Sequence, residues 1–312
     1  MEYISLLNTN LRVSRFCMGG CPMGGYGWGN VQEDELISAI HAALDAGVNF
    51  FDTADTYGLG QSERTLAKGL GSRRKDVVIG SKFGVRVGGG KTVYDNSPEY
   101  IQSALEGSLR RLNTDYIDIY TIHYRDGVTP IGDVLEKLDE LKAAGKIRYY
   151  GLSNIHGDEM NELMPYAGRF ACCQDEYSLA CRINETDLRT AQKKLHLTPM
   201  TWGSLGQGIL TGKYTRDNVC FGADDRRSRE IYKNFHGDKL ERNLRIVEAL
   251  KKVAANHGRS IAACAIRWIM DNLPESAVIA GVKRPEQLVS NTEAMGWTMT
   301  EDELRELNEV SG

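Results

Sequence analysis

The sequence predicts an α/β protein, a (β/α)8 TIM barrel with an N-terminal β-hairpin and extra C-terminal helices. Three observations predict it. One unit recurs: a helix with a start signal ends at glycine, a short apolar strand follows, and the strand stops at polar residues. Counting such strands gives about eight. Strand alternating with helix implies parallel pairing through right-handed crossovers, and eight such units close into a barrel. The chain has 312 residues, 41% hydrophobic and 26% charged, which suits a single domain over residues 1–312. Barrels of this kind commonly take about 250 residues.

In chain order, "YISLLNTNLRV" reads as a hairpin around Asn8–Asn10 that plugs the barrel bottom, and a first strand lies near Phe16–Met18. Asn30 is the expected cap of the first helix, with Glu33 at the third position. Leu36, Ile40, Ala43 and Leu44 form its apolar face and Gly47 ends it. Strands follow near Asn49–Asp52 and Val77–Lys82. Ser97-Pro98 starts the next helix, whose stripe is Ile101, Leu105, Leu109 and Leu112, before a strand at Ile117–His123. Thr129-Pro130 repeats that start, with Val134, Leu138 and Leu141 inward and Gly145 at the end. The remaining strands lie near Tyr149–Ser153, Ala171–Gln174, Thr198–Trp202 and Ala277–Ala280. An open doubly wound sheet is the alternative. It favours a G-x-G-x-x-G turn after the first strand, which "MGGCPMGGYG" does not supply.

Bulk properties exclude several functions. Lys plus Arg number 38 against 42 Asp plus Glu, a net charge of −4 that attracts neither nucleic acid nor acidic lipid. No apolar run approaches the roughly 20 residues of a membrane helix. The N-terminus lacks a basic region before an apolar one, so no signal peptide is expected. The seven cysteines are irregularly spaced without a C-x-x-C pair. That argues against a disulfide framework or a zinc site and suits a reducing, cytoplasmic setting. "VRVGGGKT" and "GQGILTGKY" fail as phosphate loops, because Val85 and Gln207 stand where the first glycine must be.

What ends each strand is more informative. Asp52 ends the second, Lys82 the third and His123 the fourth; Ser153-Asn154, Gln174 and Trp202 end the next three. In a barrel these ends share one rim, where active sites are built. Each alone is more often a solvated or core residue; their co-occurrence carries the signal. Tyr57 follows Asp52 on a glycine-flanked loop. A free phenol, with a pKa near 10, is a weak acid that a neighbouring ammonium brings down towards the working range. Asp52 is then the partner that orients Lys82, and His123 hydrogen-bonds a carbonyl oxygen while Tyr57 protonates it.

"FFDTADTYGLGQSE", "DYIDIYTIH", "GKIRYYGLSN", "QDEYSL", "GILTGKY" and "GVKRPEQLVSN" resemble, in order, segments of the aldo-keto reductase family in its longer, bacterial-type branch. The resemblance covers nearly the whole chain. It implies a (β/α)8 barrel using NADPH (NADP+) without metal, and a catalytic tetrad of Asp52, Tyr57, Lys82 and His123. It also implies that Ser153, Asn154 and Gln174 bind the nicotinamide carboxamide and that Trp202 stacks on the ring. Ser204, Leu205, Gly206, Gly208 and Lys213 would wrap the pyrophosphate. Gly281, Lys283, Arg284, Gln287 and Asn291 would hold the adenosine 2′-phosphate and adenine, helped by a helix N-terminus. Substrate walls are expected from Tyr26, Trp28 and Tyr124, with Tyr57 and His123, and from the charged segment between Tyr214 and His236. That segment is expected to order over cofactor.

The chain departs from the family pattern at Gly203, at Ser290 and at Arg125, which is expected to pair with Asp126 or to favour anionic substrates. The expected function is reduction of an aldehyde or ketone, such as a sugar or small carbonyl, to the alcohol. One alternative is an NADPH-binding regulatory subunit with little turnover, which has no need of Tyr57. Another is a Schiff-base aldolase built on Lys82, which an Asp52 partner disfavours.

Overall fold

The computed structural model describes residues 1–88, 91–222 and 224–312. Gly89 and Gly90 of the "VRVGGGKT" run and Ala223 of the Tyr214–His236 segment lie outside the described residues. Eight parallel strands close into a barrel: β3 (Phe16–Gly19), β4 (Phe50–Asp52), β5 (Val78–Phe83), β8 (Ile117–Ile122), β9 (Ile147–Ser153), β10 (Cys172–Glu176), β11 (Thr198–Trp202) and β12 (Ala277–Gly281). They neighbour one another in that order and β12 pairs back to β3. The expected strands are therefore present, with bounds shifted by at most two residues.

Alternation along each strand produces two cores. Inward residues such as Cys17, Phe50, Ile119, Cys172 and Met200 form one cluster inside the barrel. Outward residues such as Phe51, Tyr120 and Cys173 pack beneath the helices in a second. The hairpin of β1 (Tyr3–Ser5) and β2 (Arg12–Ser14) adds Leu6, Leu11 and Val13 to the inner cluster. Leu7 N donates to Thr198 Oγ1 (2.9 Å) and Asn8 Nδ2 to Phe170 O (2.9 Å), which seats the hairpin on the lower barrel end.

The helices are α1 (Glu33–Asp45), α2 (Gln61–Leu70), α3 (Pro98–Leu112), α4 (Ile131–Ala143), α5 (Asp158–Leu163), α6 (Glu185–Leu195), α7 (Gly237–His257), α8 (Ile261–Asn272), α9 (Pro285–Thr292) and α10 (Glu301–Ser311). Ser97 caps α3 by accepting from Tyr100 N, as the sequence predicts. Two expected caps fail. The residue before α1 is Gln32, and Asn30 instead accepts from the Gln32 amide. The residue before α4 is Pro130, because the Thr129 hydroxyl is donated to Asp126 Oδ2 at 2.7 Å. Leu36, Ile40 and Ala43 bury the inner face of α1, where truncating Leu36 or Ile40 to alanine costs about 2–5 kcal/mol. The extra C-terminal helices are α7 and α10. They pack together through the Lys252–Glu306 and His257–Glu303 pairs. A second hairpin, β6 (Val85–Gly88) with β7 (Lys91–Tyr94), projects from the upper rim beyond β5 and is not expected from the sequence.

Candidate active site

Barrel register sets the rim. Asp52 is the last residue of β4 and faces Gly80 of β5; Lys82 sits two residues further up β5. His123 leaves β8 with its N donating to Phe83 O (2.8 Å), and Asn154 leaves β9 with its N donating to Gln174 O (2.9 Å). Tyr57 is carried by a tight turn. Gly24 and Gly58 lie so close that a side chain on either would strike the other's backbone, and Gly58 has φ +61°. The first rim loop therefore rests directly against the Tyr57 turn.

These pieces meet. Lys82 Nζ donates to Asp52 Oδ2 at 2.7 Å, to Thr53 O at 2.9 Å and to Tyr57 Oη at 3.3 Å. Asp52 Oδ1 accepts from Gln174 Nε2 at 2.8 Å. The Tyr57 and His123 rings meet edge to face at 6.0 Å. Lys82 and Asp52 are 2% and 3% exposed, so each is the other's charge compensation in a dry setting. All three ammonium protons are spent, which leaves Lys82 no free amine for a Schiff base.

The electrostatics correct one expectation. Burial first, then the Asp52 carboxylate, holds the Tyr57 phenol well above its ordinary range, despite Lys82. The phenol therefore stays protonated at neutral pH. Burial and the Lys82 charge push His123 down to about 3, so its imidazole is neutral. Asp55, two residues before Tyr57, is raised to about 7 by burial and by the neighbouring Glu63 carboxylate. Its Oδ1 has no partner among the described residues.

The tetrad opens on a cleft of about 1010 Å³. Trp28, Tyr124, Ser153, Asn154, Gln174, Trp202, Ser204, Leu205, Gly208, Lys213, Gly281, Lys283, Gln287 and Asn291 also line it. Two residues expected to bind cofactor do not. Gly206 is buried in its own turn against Ala180 and Ile209, and Arg284 is turned onto Glu35. Ser204 lines the cleft, but its hydroxyl is donated to Ile279 O at 2.9 Å. Asn154 Nδ2 is donated to His123 O and to Ser153 Oγ, both at 3.0 Å. Neither expectation for Arg125 holds. Its guanidinium binds Glu162 Oε2 (2.8 Å) and Thr129 O (3.0 Å), away from the cleft. Tyr26 is exposed and absent from the lining.

Part of the Tyr214–His236 segment lines the cleft, as expected, but the sequence does not single out which of its residues do so. Arg226 and Arg227, from the Tyr214–His236 segment, reach across to the first loop. Arg226 N donates to Gly27 O (3.1 Å), and its guanidinium lies 5.0 Å from the Trp28 ring. Tyr94, from the unexpected hairpin, stacks on Tyr124 at 5.1 Å, and Tyr124 stacks on His123 at 5.0 Å. At the far end of the cleft, burial and the charges of Arg227 and Lys213 push Lys283 below its ordinary value. Cations crowded this way need an anion. Beside them Asn291 Nδ2 is buried without a partner among the described residues. A cleft lined by the buried Tyr57 phenol and, beyond it, by converging cations fits a nicotinamide dinucleotide. Among the described residues no cluster of His, Cys, Asp and Glu fits a metal ion, and no helix is long and apolar enough to cross a membrane.

The model of the Aldo/keto reductase family matches residues 15–311. The chain is 33% identical over 313 residues to Aldo-keto reductase YhdN of Bacillus subtilis (strain 168), spanning 99% of this chain and 93% of that protein. It is also 33% identical over 307 residues to a probable voltage-gated potassium channel subunit beta of Oryza sativa subsp. japonica, spanning 95% and 91%. Among solved structures, the glycerol dehydrogenase AKR11B4 from Gluconobacter oxydans superposes with a TM-score of 0.88 at 32% identity, over 99% of this chain and 94% of that one.

Proposed function

Because the chain belongs to the aldo/keto reductase family, whose members are NAD(P)H-dependent oxidoreductases, we propose that it reduces a small aldehyde or ketone with NADPH and that Tyr57 is the proton donor. The observation that carries this reading is the buried Asp52–Lys82 pair with Tyr57 Oη 3.3 Å from the ammonium, on the wall of the long cleft. Bound nicotinamide supplies a hydride. The protein's own residues do the rest. Ser153, Asn154 and Gln174 orient the carboxamide and Trp202 covers the ring. Backbone of Leu205, Gln207 and Gly208, with Lys213 and Arg227, holds the pyrophosphate. Lys283, Gln287 and Asn291 hold the adenosine end, beside the N-terminus of α9.

Tyr57 Oη accepts from Lys82, so its own proton points away from the ammonium, towards a carbonyl oxygen in the cleft. Neutral His123 fixes that oxygen's approach, and Trp28 and Tyr124 supply flat apolar walls. Such walls suit small carbonyls, including the three-carbon carbonyl partner of glycerol that the Gluconobacter relative's name implies. Tyr57→Phe removes the donor and keeps the ring. Turnover should fall by about 10²–10⁴-fold while cofactor affinity stays within a few fold. Following NADPH absorbance across a carbonyl panel tests it, and undiminished turnover in the variant rules the assignment out.

Similarity to a protein named as a channel subunit favours a second reading, in which dinucleotide binding acts on a partner. The assembled tetrad favours turnover. Absence of reduction across the panel, with tight NADPH binding, would decide for the second.

A further inference from the structure

Two cations follow β12 and only one serves the cleft. Lys283 lines it, with Nζ donating to Trp28 O at 2.8 Å. Arg284 does not line it: its Nε lies 3.1 Å and 3.2 Å from the two carboxylate oxygens of Glu35, in the first turn of α1. Glu33, in the same turn, is committed to Lys68, whereas Arg284 is the only basic side chain paired with Glu35 among the described residues. Both members of the pair are about half exposed, 54% and 41%, so solvent screens the attraction and the pair exchanges readily.

We infer that Glu35 sets the selectivity between the two nicotinamide dinucleotides, by holding Arg284 off the adenosine 2′-phosphate. The inference rests on the reading that the cleft binds such a dinucleotide. A 2′-phosphate dianion competes with the Glu35 carboxylate for one guanidinium, and whatever Arg284 gives the phosphate it first gives up at Glu35. The carboxylate also repels a phosphate brought beside it. Both effects weaken NADPH and leave NADH untouched, which is discrimination by an opposing element rather than by an added contact. In the wild-type protein Lys283 alone favours the phosphate, so the two cofactors bind within about tenfold of each other.

The test is equilibrium binding, by titration calorimetry and tryptophan quenching, of NADPH, NADH, 2′,5′-ADP and 5′-ADP. The proteins are wild type, Glu35→Gln and Glu35→Gln/Arg284→Gln. Glu35→Gln should tighten NADPH and 2′,5′-ADP roughly 5–20-fold and move NADH and 5′-ADP by less than twofold. The second substitution should abolish the gain. An unchanged NADPH-to-NADH ratio in Glu35→Gln, an equal gain on both dinucleotides, or a gain that survives loss of Arg284 overturns the inference and leaves the reductase reading standing. Failure of the wild type to bind either dinucleotide overturns both.

Discussion

Replacing Asp52 by asparagine tests the site's electrostatic core with almost no change of shape. In the native protein the carboxylate is shared between Lys82 Nζ at 2.7 Å and Gln174 Nε2 at 2.8 Å. The amide oxygen can still accept from Lys82, and Gln174 can turn its own oxygen towards the new amide. Hydrogen bonding is thus largely conserved, and what disappears is the negative charge beside an ammonium that is 2% exposed. Breaking a buried pair from one side costs about 3–5 kcal/mol, and the retained hydrogen bonds place Asp52→Asn at the low end, about 3 kcal/mol. For a chain of this size that lowers Tm by roughly 4–6 °C. Lys82→Met strands the carboxylate and should cost a similar amount. The double variant Asp52→Asn/Lys82→Met buries no charge, so it should cost about 3 kcal/mol less than the two single changes summed. Thermal melts and denaturant titrations of the four proteins close the cycle. The two variants carrying Lys82→Met should lose carbonyl reduction, since neither presents an ammonium to Tyr57. Additivity within about 0.5 kcal/mol would refute the claim that the two groups compensate one another.

The remaining expectations concern pH. Asp55 has a folded pKa of about 7 against an ordinary 3.8, so the folded protein holds a proton there that the unfolded chain releases. Stability is accordingly eroded as pH rises from about 4 to about 7 and is constant beyond, by at most about 4 kcal/mol. Asp55→Asn should raise Tm at pH 8 and leave it nearly unchanged at pH 4; equal shifts at both would refute the raised pKa. His123, held near 3, is neutral throughout the working range, so reduction by Asp55→Asn should show no inflection near pH 6.5. An inflection there that vanishes on replacing His123 would show the imidazole to be titrating.

Much of this site is legible in the sequence because barrel topology converts chain order into place. Asp52, Lys82, His123, Asn154 and Gln174 each end or follow a strand, and parallel strands bring all such ends to one rim. What stays hidden depends on distances between residues remote in sequence. Arg284 reads as a phosphate ligand, and nothing near it in the chain announces Glu35, which is 249 residues away. The Ser204 hydroxyl reads as free until Ile279 O is found 2.9 Å from it. The β6–β7 hairpin is largely exposed, so it lacks the buried alternation that marks a strand. Tyr94 on that hairpin therefore carries no signal in the sequence. Thr129-Pro130 fails as a cap because a side chain three residues upstream competes for the hydroxyl.

The Tyr57 phenol illustrates most clearly how burial changes a sequence-level argument. A lysine next to a tyrosine suggests a lowered pKa, but Asp52 stands behind that lysine and offsets its charge. Seen from Oη the ion pair is close to neutral, so desolvation decides the resting state and keeps the proton on oxygen. This does not disable a donor in the proposed reduction. Once hydride arrives, the substrate oxygen becomes an alkoxide, a stronger base than a phenolate, and the proton moves downhill. At that moment Lys82 gains a new partner. Opposite unit charges 3.3 Å apart attract by about 5 kcal/mol at an effective dielectric of 20, reduced by the carboxylate behind. The attraction exists only after the phenol has begun to lose its proton, so it stabilises the transition state and not the resting enzyme, which is the condition for it to raise turnover. Lys82 is held ready for this by its two other acceptors, Asp52 Oδ2 and Thr53 O, which fix where its third proton points.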